Sequence, residues 1–587
     1  MSESPPGQPA GSGPLSFDLT DHPWIEVLRC DGVQEEMSLR AVFAEAGRVR
    51  RLVGDLPTQE FALLRLLLAV AHDALDGPQD IDHWVDLWDD EGCFAPVDAY
   101  LTEHRRRLDL LDAQAPFLQV SGLHTGKGEV ASLNRIVADV PNGDPFFTSR
   151  MPGVERLGFA EAARWVVHAH AFDTSGIKSG VEGDSRVKGG KVYPLGVGWA
   201  GALGGVFAEG TTLRETLLLN LVAADTGGIR FDSGDRPAWR RDPDGPGVLD
   251  GRQPSGVRDL YTWQTRRMRL HFDENGVHGV VLGYGDPLGA HNMHTREPMT
   301  AWRRSPAQEK KRGEPVVYLP REHDPSRAAW RGLASLIAGR TESSQGAEAA
   351  PFLRPGILEW VSRLATEGVL ERSFLIRTRV IGAVYGTQQS VIDEIVDDRL
   401  SMGVVLLHDQ DRAYGTQAID AVSDAEGAVT ALGDLATDLA RAAGAESDGP
   451  RGAARDQGFG ALDGPYRGWL AGLAGAQDPY LAREEWKRDV RRIVEQLARQ
   501  LLAAAGEAAW AGRTVPAKQG TQWLNSSLAD AWFGARLTKV LGAPQAGAPQ
   551  AGAPQAGAPQ AGAPQAGAPS VDSASSTSDD LPPKVTA

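Results

Sequence analysis

Cysteine is nearly absent: Cys30 and Cys93 are the only two in 587 residues. That excludes a disulfide framework and a Cys-based tetrahedral zinc site, and it fits a reducing cytoplasm. Long apolar runs are missing too. No stretch reaches eighteen apolar residues, and the start Met1-Ser2-Glu3-Ser4-Pro5-Pro6 has neither a basic n-region nor an apolar h-region. The chain therefore reads as soluble and unexported, with no membrane partner. Positive charge is short as well: the formal net charge of -17 excludes a protein that coats nucleic acid through a uniformly basic surface. Any nucleic-acid contact must be local. Enzyme signatures are also lacking, with no Walker loop, His-Glu-x-x-His, Gly-x-Ser-x-Gly or dinucleotide fingerprint.

What is present is enough apolar material for sizeable cores, with 42% hydrophobic residues and 15 Trp. Residues 1–14 are rich in Pro, Gly and Ser and are expected to be disordered. From Gly542 the unit Gly-Ala-Pro-Gln-Ala repeats and gives way to a Ser/Asp stretch, so 542–587 is expected to be a disordered spacer. Between these ends the first long signal is a buried helix from Thr58 to Leu75, carried by Phe61, Leu64, Leu67, Leu68, Ala71 and Leu75. Residues 150–300 mix Gly-rich loops with helical pieces such as Leu213–Val222 and strand-like ones such as Met268–Phe272 and Gly279–Leu282. Thr341–Ala350 reads as a flexible loop. After Val391 helical spacing dominates, over Ala418–Ala443, Leu462–Ala474, Ala482–Ala504 and Ser526–Leu541, with Gly444–Gly460 expected as a Gly-rich connection. The pattern predicts an α+β protein: a mixed α/β part over 15–385, then an antiparallel four-helix bundle over 386–541.

Four features bear on chemistry. His168 and His170 lie two apart and do not share a ligand on a helix; His291 and His294 would need outside ligands to hold a metal, so surface or core histidines are the plainer reading. Arg258, Arg266, Arg267 and Arg269 form one basic cluster around Tyr261 and Trp263, and Arg303, Arg304, Lys310, Lys311 and Arg312 another. Each is a solvated face or a binding patch. In Phe172–Lys191, the glycines at 176, 180, 183, 189 and 190 allow close backbone approach to a ligand, with Lys178, Arg186, Lys188 and Lys191 supplying positive charge. A flexible surface loop fits the same residues. In the helical part Trp486, Val490, Ile493, Leu497 and Leu501 form a buried stripe, while Arg483, Lys487, Arg488, Arg491, Arg492 and Arg499 cover the other face. Arg488 and Arg492 are candidates for following a phosphate backbone.

The most informative stretch is Tyr385-Gly386-Thr387-Gln388-Gln389-Ser390. Phe374–Tyr385 before it reads as a strand. After it, Ser390 with Asp393 gives a capping-box pattern, and Val391, Ile392, Ile395, Val396 and Leu400 follow at helical spacing. The two amides are a polar wedge or the side chains of a solvated turn.

In order along the chain, Phe17-Asp18-Leu19-Thr20-Asp21-His22-Pro23-Trp24-Ile25-Glu26-Val27, the leucine-rich helix from Leu63, Pro116-Phe117-Leu118-Gln119-Val120, Lys178-Ser179-Gly180, Arg214–Leu221, Pro237-Ala238-Trp239 and the 385–390 turn resemble the CasA family. These are the large subunits of type I-E CRISPR Cascade complexes, and the resemblance runs from about residue 17 to 540. It implies a non-catalytic subunit with no cofactor and no metal. Its partners would be the other Cascade subunits, the crRNA near its 5′ end, target double-stranded DNA and a helicase-nuclease. A short protospacer-adjacent motif in the duplex would be read from the minor groove, while base pairing with the crRNA reads the rest. An acidic protein suits the role because neighbouring subunits hold most of the RNA backbone. The resemblance places the family's glutamine wedge on Gln389, flanked by Gln388 and Ser390. It places the glycine-rich DNA-facing loop on Thr174, Ser175, Gly176, Ile177 and Lys178, and an RNA- and partner-facing loop on Val140–Arg150 with Phe147. The loop has fewer glycines than the family pattern, and the motif-reading lysine has no counterpart beyond the neighbourhood of His291, Asn292 and Arg296. The competing reading is a stand-alone metal-dependent hydrolase or scaffold using His291 and His294.

Overall fold

A computed structural model describes residues 15–138, 153–249, 251–339, 349–445, 448–516 and 520–543. Phe147 and the 140–150 loop, most of the 341–350 stretch, residues 1–14 and all but residues 542–543 of the expected C-terminal tail lie outside them.

The helix Pro57–Ala74 is apolar on every side and is accordingly buried almost throughout. A helix enclosed in this way needs partners for its polar side chains. Arg65 makes a bidentate pair with Glu297 at 2.9 and 2.8 Å, and Trp199 Nε1 donates to the same carboxylate at 2.7 Å. Against the helix packs a three-stranded antiparallel sheet, in which Leu375–Tyr385 lies between Ile392–Gly403 and Gly205–Glu209. Arg379 joins sheet and helix: its guanidinium donates to Glu60 at 2.6 Å and to both oxygens of Asp397 at 2.8 and 2.9 Å. Burial opposes the charge there, but Asp397 and Glu60 outweigh it and hold the guanidinium above its ordinary range.

The segment after Ser390 is a strand, not the expected helix. Ile392–Gly403 pairs along the whole of Leu375–Tyr385, from Tyr385 opposite Ile392 to Leu375 opposite Gly403. Val391, Ile392, Ile395 and Val396 are β-branched, and a short apolar run of this kind satisfies either period; the ready-made edge of the neighbouring strand decides between them. Ser390 does not cap a helix. Its hydroxyl donates to the Thr387 carbonyl at 2.9 Å.

Helices dominate from Arg412. Arg412–Ala443, 32 residues long, packs against each of Gly449–Gly472, Pro479–Ala504 and Ser526–Leu541. The expected Gly444–Gly460 connection is instead mostly helix. Ala454, Gly458, Leu462, Tyr466 and Leu470 are buried at four-residue spacing, and a Cβ at Gly458 would come within 3.1 Å of the Val429 side chain. Glycine serves here as a close-approach residue, so its number along the segment does not mark a loop. This region stacks Tyr466 on Trp330, in the turn Ala329–Gly332, at 4.5 Å, and is tied to the sheet through Arg467, which donates to Asp398 at 2.9 Å.

Candidate nucleic-acid interface

The hairpin of 11- and 12-residue strands ends in the turn 386–391. Gly386 N–H donates to Val391 at 3.1 Å, and Gln389 N–H donates to Gly386 at 2.9 Å, so the turn is closed by its own backbone. Gln388 and Gln389 both adopt left-handed backbone, with φ of 58° and 56°. That conformation costs a residue with a Cβ of order 1 kcal/mol, and it persists only where the surroundings impose it. Both side chains are exposed, as are Thr387 and Ser390. The Asp393 carboxylate lies 2.4 Å from where a Cβ on Gly386 would stand, so a side chain there would push that exposed carboxylate aside.

The loop at 173–178 is held differently. Asp173 is buried and takes an ion pair from Lys178 Nζ at 2.6 Å and a second from Arg266 Nε. Arg266 Nη2 also donates to the carbonyls of Asp173, Thr174 and Gly196 at 2.9, 3.2 and 3.1 Å. Burial would raise the Asp173 pKa, but Lys178 and Arg266 outweigh that and hold it below the ordinary carboxylate range. The Tyr284 hydroxyl accepts from Gly176 N–H at 3.0 Å and donates to Gly176 C=O at 2.6 Å, fixing a residue whose φ of 154° favours glycine. Of the five residues expected to face DNA, Ser175 and Lys178 are buried, Thr174 and Gly176 are half-buried, and Ile177 is 51% exposed. Lys178 therefore does not present its ammonium to solvent; Asp173 neutralises it.

The two elements meet. Tyr385, the last residue of its strand, donates its hydroxyl to the Phe172 carbonyl at 2.7 Å, one residue before Asp173. Sequence reasoning named Tyr385 within its turn and Arg266 within a basic cluster without their roles here, and it missed Asp173 and Tyr284; the four are far apart in the chain and no local pattern joins them.

The other candidates are dispersed. Arg258, Arg266 and Arg267 are not a surface patch but the cationic halves of ion pairs to Asp73, Asp173 and Asp286. By contrast, Arg303, Lys310, Lys311 and Arg312 are exposed, the last three on the short helix Pro306–Arg312, which buries nothing. Asn292 is spent on Glu314 and Tyr318, and Arg296 pairs with Asp232. Arg488 and Arg492 are 64% and 66% exposed, each beside an acidic residue three positions earlier, Glu485 at 3.6 Å and Asp489 at 2.8 Å. That helix face is locally balanced in charge. His168 bonds the Thr58 hydroxyl at 2.9 Å and His170 the Leu118 carbonyl at 2.8 Å, both inside the core, and burial drives their pKa values down to about 3 and about 4. The His294 ring packs against Trp302 and Tyr318. Among the described residues no group of three or more His, Cys, Asp or Glu is placed to hold a metal, and no helix is long and apolar enough to cross a membrane.

The model of the family described as CRISPR-associated protein Cse1 matches residues 18–497. The chain belongs to the Cse1 family. A CasA/Cse1 protein of Thermus thermophilus is 30% identical over 391 residues, 64% of this chain and 69% of that protein. The crystal structure of Thermobifida fusca Cse1 is 57% identical with a TM-score of 0.83, over 90% of this chain and 98% of that one. A chain of a CRISPR RNA-guided surveillance complex shares the Cse1 fold at 17% identity, with a TM-score of 0.56 over 83% of this chain and 100% of that one. The expected mixed α/β fold with a helical C-terminal part is that of the Cse1 crystal structures.

Proposed function

We propose that this chain is the non-catalytic large subunit of a crRNA-guided type I-E Cascade complex. In that role it reads a short motif in double-stranded DNA from the minor groove, opens the duplex beside it, and helps recruit a helicase-nuclease. Membership of the Cse1 family supports the assembly. The observation that carries the DNA role is the exposed Gln388–Gln389 pair at the tip of a long hairpin, held in left-handed backbone by a closed turn. Unstacking a base step costs on the order of a few kcal/mol. A wedge can bear that load only if its base does not yield, and the eleven-residue ladder, Arg379 and the Trp330–Tyr466 stack supply such a base.

In this mechanism the Gln389 amide, with one acceptor and two donors, enters at the first base pairs and substitutes for part of the lost pairing. Gln388 and Ser390 fit beside it. The 173–178 loop meets the backbone next to the wedge through its peptide groups at Thr174 and Gly176 and through the Ile177 side chain. Lys178 shapes this loop from beneath; its charge is already paired with Asp173. Arg488 and Arg492 remain candidates for a peripheral phosphate contact, and the 140–150 loop with Phe147 for contact with RNA and neighbouring subunits.

The test is reconstitution. Added to a Cascade subcomplex lacking its large subunit, the chain should restore tight duplex binding and R-loop formation, and by itself show no nuclease turnover. A chain that fails to join the subcomplex, or that hydrolyses DNA alone, would overturn the proposal.

A further inference from the structure

We propose that the Tyr385 hydroxyl is a latch that sets the wedge turn and the 173–178 loop in register, making Tyr385 a positioning residue for duplex opening. The inference rests on the DNA role proposed above.

Phe172 is the last residue of the helix Phe159–Phe172, so its carbonyl has no partner within the helix. Tyr385 Oη–H fills that vacancy at 2.7 Å. The contact is built for. A Cβ on Gly201 would lie 2.1 Å from Tyr385 Oη, so glycine at 201 leaves the path to Phe172 open. Burial first, and then the charge of Asp173, push the Tyr385 phenol above its ordinary range, which keeps the proton on the oxygen and the hydroxyl a donor. On the loop side the next residue, Asp173, is the hub for Lys178 and Arg266, and the Tyr284 ring lies under both cations, 5.4 Å from Lys178 Nζ and 4.9 Å from Arg266 Cζ. On the turn side, Tyr385 adjoins Gly386 and pairs with Ile392 across a register irregularity between Val384 and Tyr385. A single hydrogen bond therefore joins the residue that leads into the turn to the residue that leads into the loop. Each element has its own internal ties, and Tyr385 supplies a direct bond between them. Without it the wedge and loop lose a shared anchor, so both open more often and their mutual position slips.

The experiment compares Tyr385→Phe, Gln389→Ala and the double variant, each assembled with its RNA and partner subunits. Duplex-opening rates are read alongside backbone amide exchange at 174–178 and 386–391. The latch predicts normal assembly for Tyr385→Phe, opening slowed about fivefold, the weight of one buried hydrogen bond, and faster exchange in both segments. It also predicts that the slowing shrinks to under about twofold when Gln389 is already Ala, because both changes act through one wedge. Unchanged exchange in Tyr385→Phe would overturn the latch whatever the opening rates show. Equal slowing in both backgrounds would overturn it too, since that is the signature of general destabilisation. If Gln389→Ala opens DNA at the parental rate while Tyr385→Phe speeds exchange in both segments, the wedge reading fails and the latch stands as a structural coupling.

Discussion

The wedge turn and the 173–178 loop end within one hydrogen bond of each other and are held by opposite means. The turn rests on neutral backbone bonds: a ladder from Leu375 to Tyr385, a closure from Gly386 to Val391, and a left-handed Gln pair imposed on it. The loop rests on charge, with Asp173 between Lys178 and Arg266 and three carbonyls gathered by one guanidinium. A ladder tolerates the loss of one side chain. The ionic hub does not, because Arg266 serves the Asp173 carboxylate and three carbonyls at once, and its loss leaves buried acceptors without their donor.

The largest effect should therefore come from Arg266→Met, which strips Asp173 and the Asp173, Thr174 and Gly196 carbonyls of their shared donor. A loss of about 3–5 kcal/mol is expected from the several buried acceptors left unpaired, read by denaturant unfolding, with amide protection lost at 173–178 and kept in the 375–403 hairpin. Gly386→Ala should cost under about 1 kcal/mol, because its methyl displaces only the exposed carboxylate of Asp393, 2.4 Å away. Here the asymmetry reverses: exchange rises in the turn and stays unchanged in the loop. The smallest change is Arg488→Ala with Arg492→Ala. Stability should stay within about 0.5 kcal/mol, and if both arginines touch phosphate the salt slope of duplex binding falls by about two units.

What the sequence revealed follows the same division. The core helix, the strand Leu375–Tyr385 and the exposed amides were legible because apolar periodicity and the Gly-Thr-Gln-Gln turn are local signals. The strand Ile392–Gly403 was not: Ile392, Ile395 and Val396 satisfy helical spacing, and only a partner across the turn selects the strand. The helix through Gly458 was hidden for a related reason, since close packing on Val429 looks in sequence like a loop composition. Lys178 misled most directly. A lysine among glycines reads as a phosphate ligand until Asp173, five residues earlier, is found beside it. Buried ion pairs such as Arg267–Asp286 and Arg65–Glu297 leave no trace in local pattern, which is why the 258–269 arginines read as a patch.

We propose that Gln389 opens the duplex from a base that does not move. The direct test is the rate of R-loop formation by complexes carrying Gln389→Ala, measured at saturating complex on duplexes bearing the adjacent motif. The account predicts normal assembly with RNA and partner subunits, an unchanged melting profile for the subunit, and opening slowed at least about tenfold, since the amide offsets part of an unstacking cost of a few kcal/mol. Equal rates for variant and parent, with assembly intact, would contradict it.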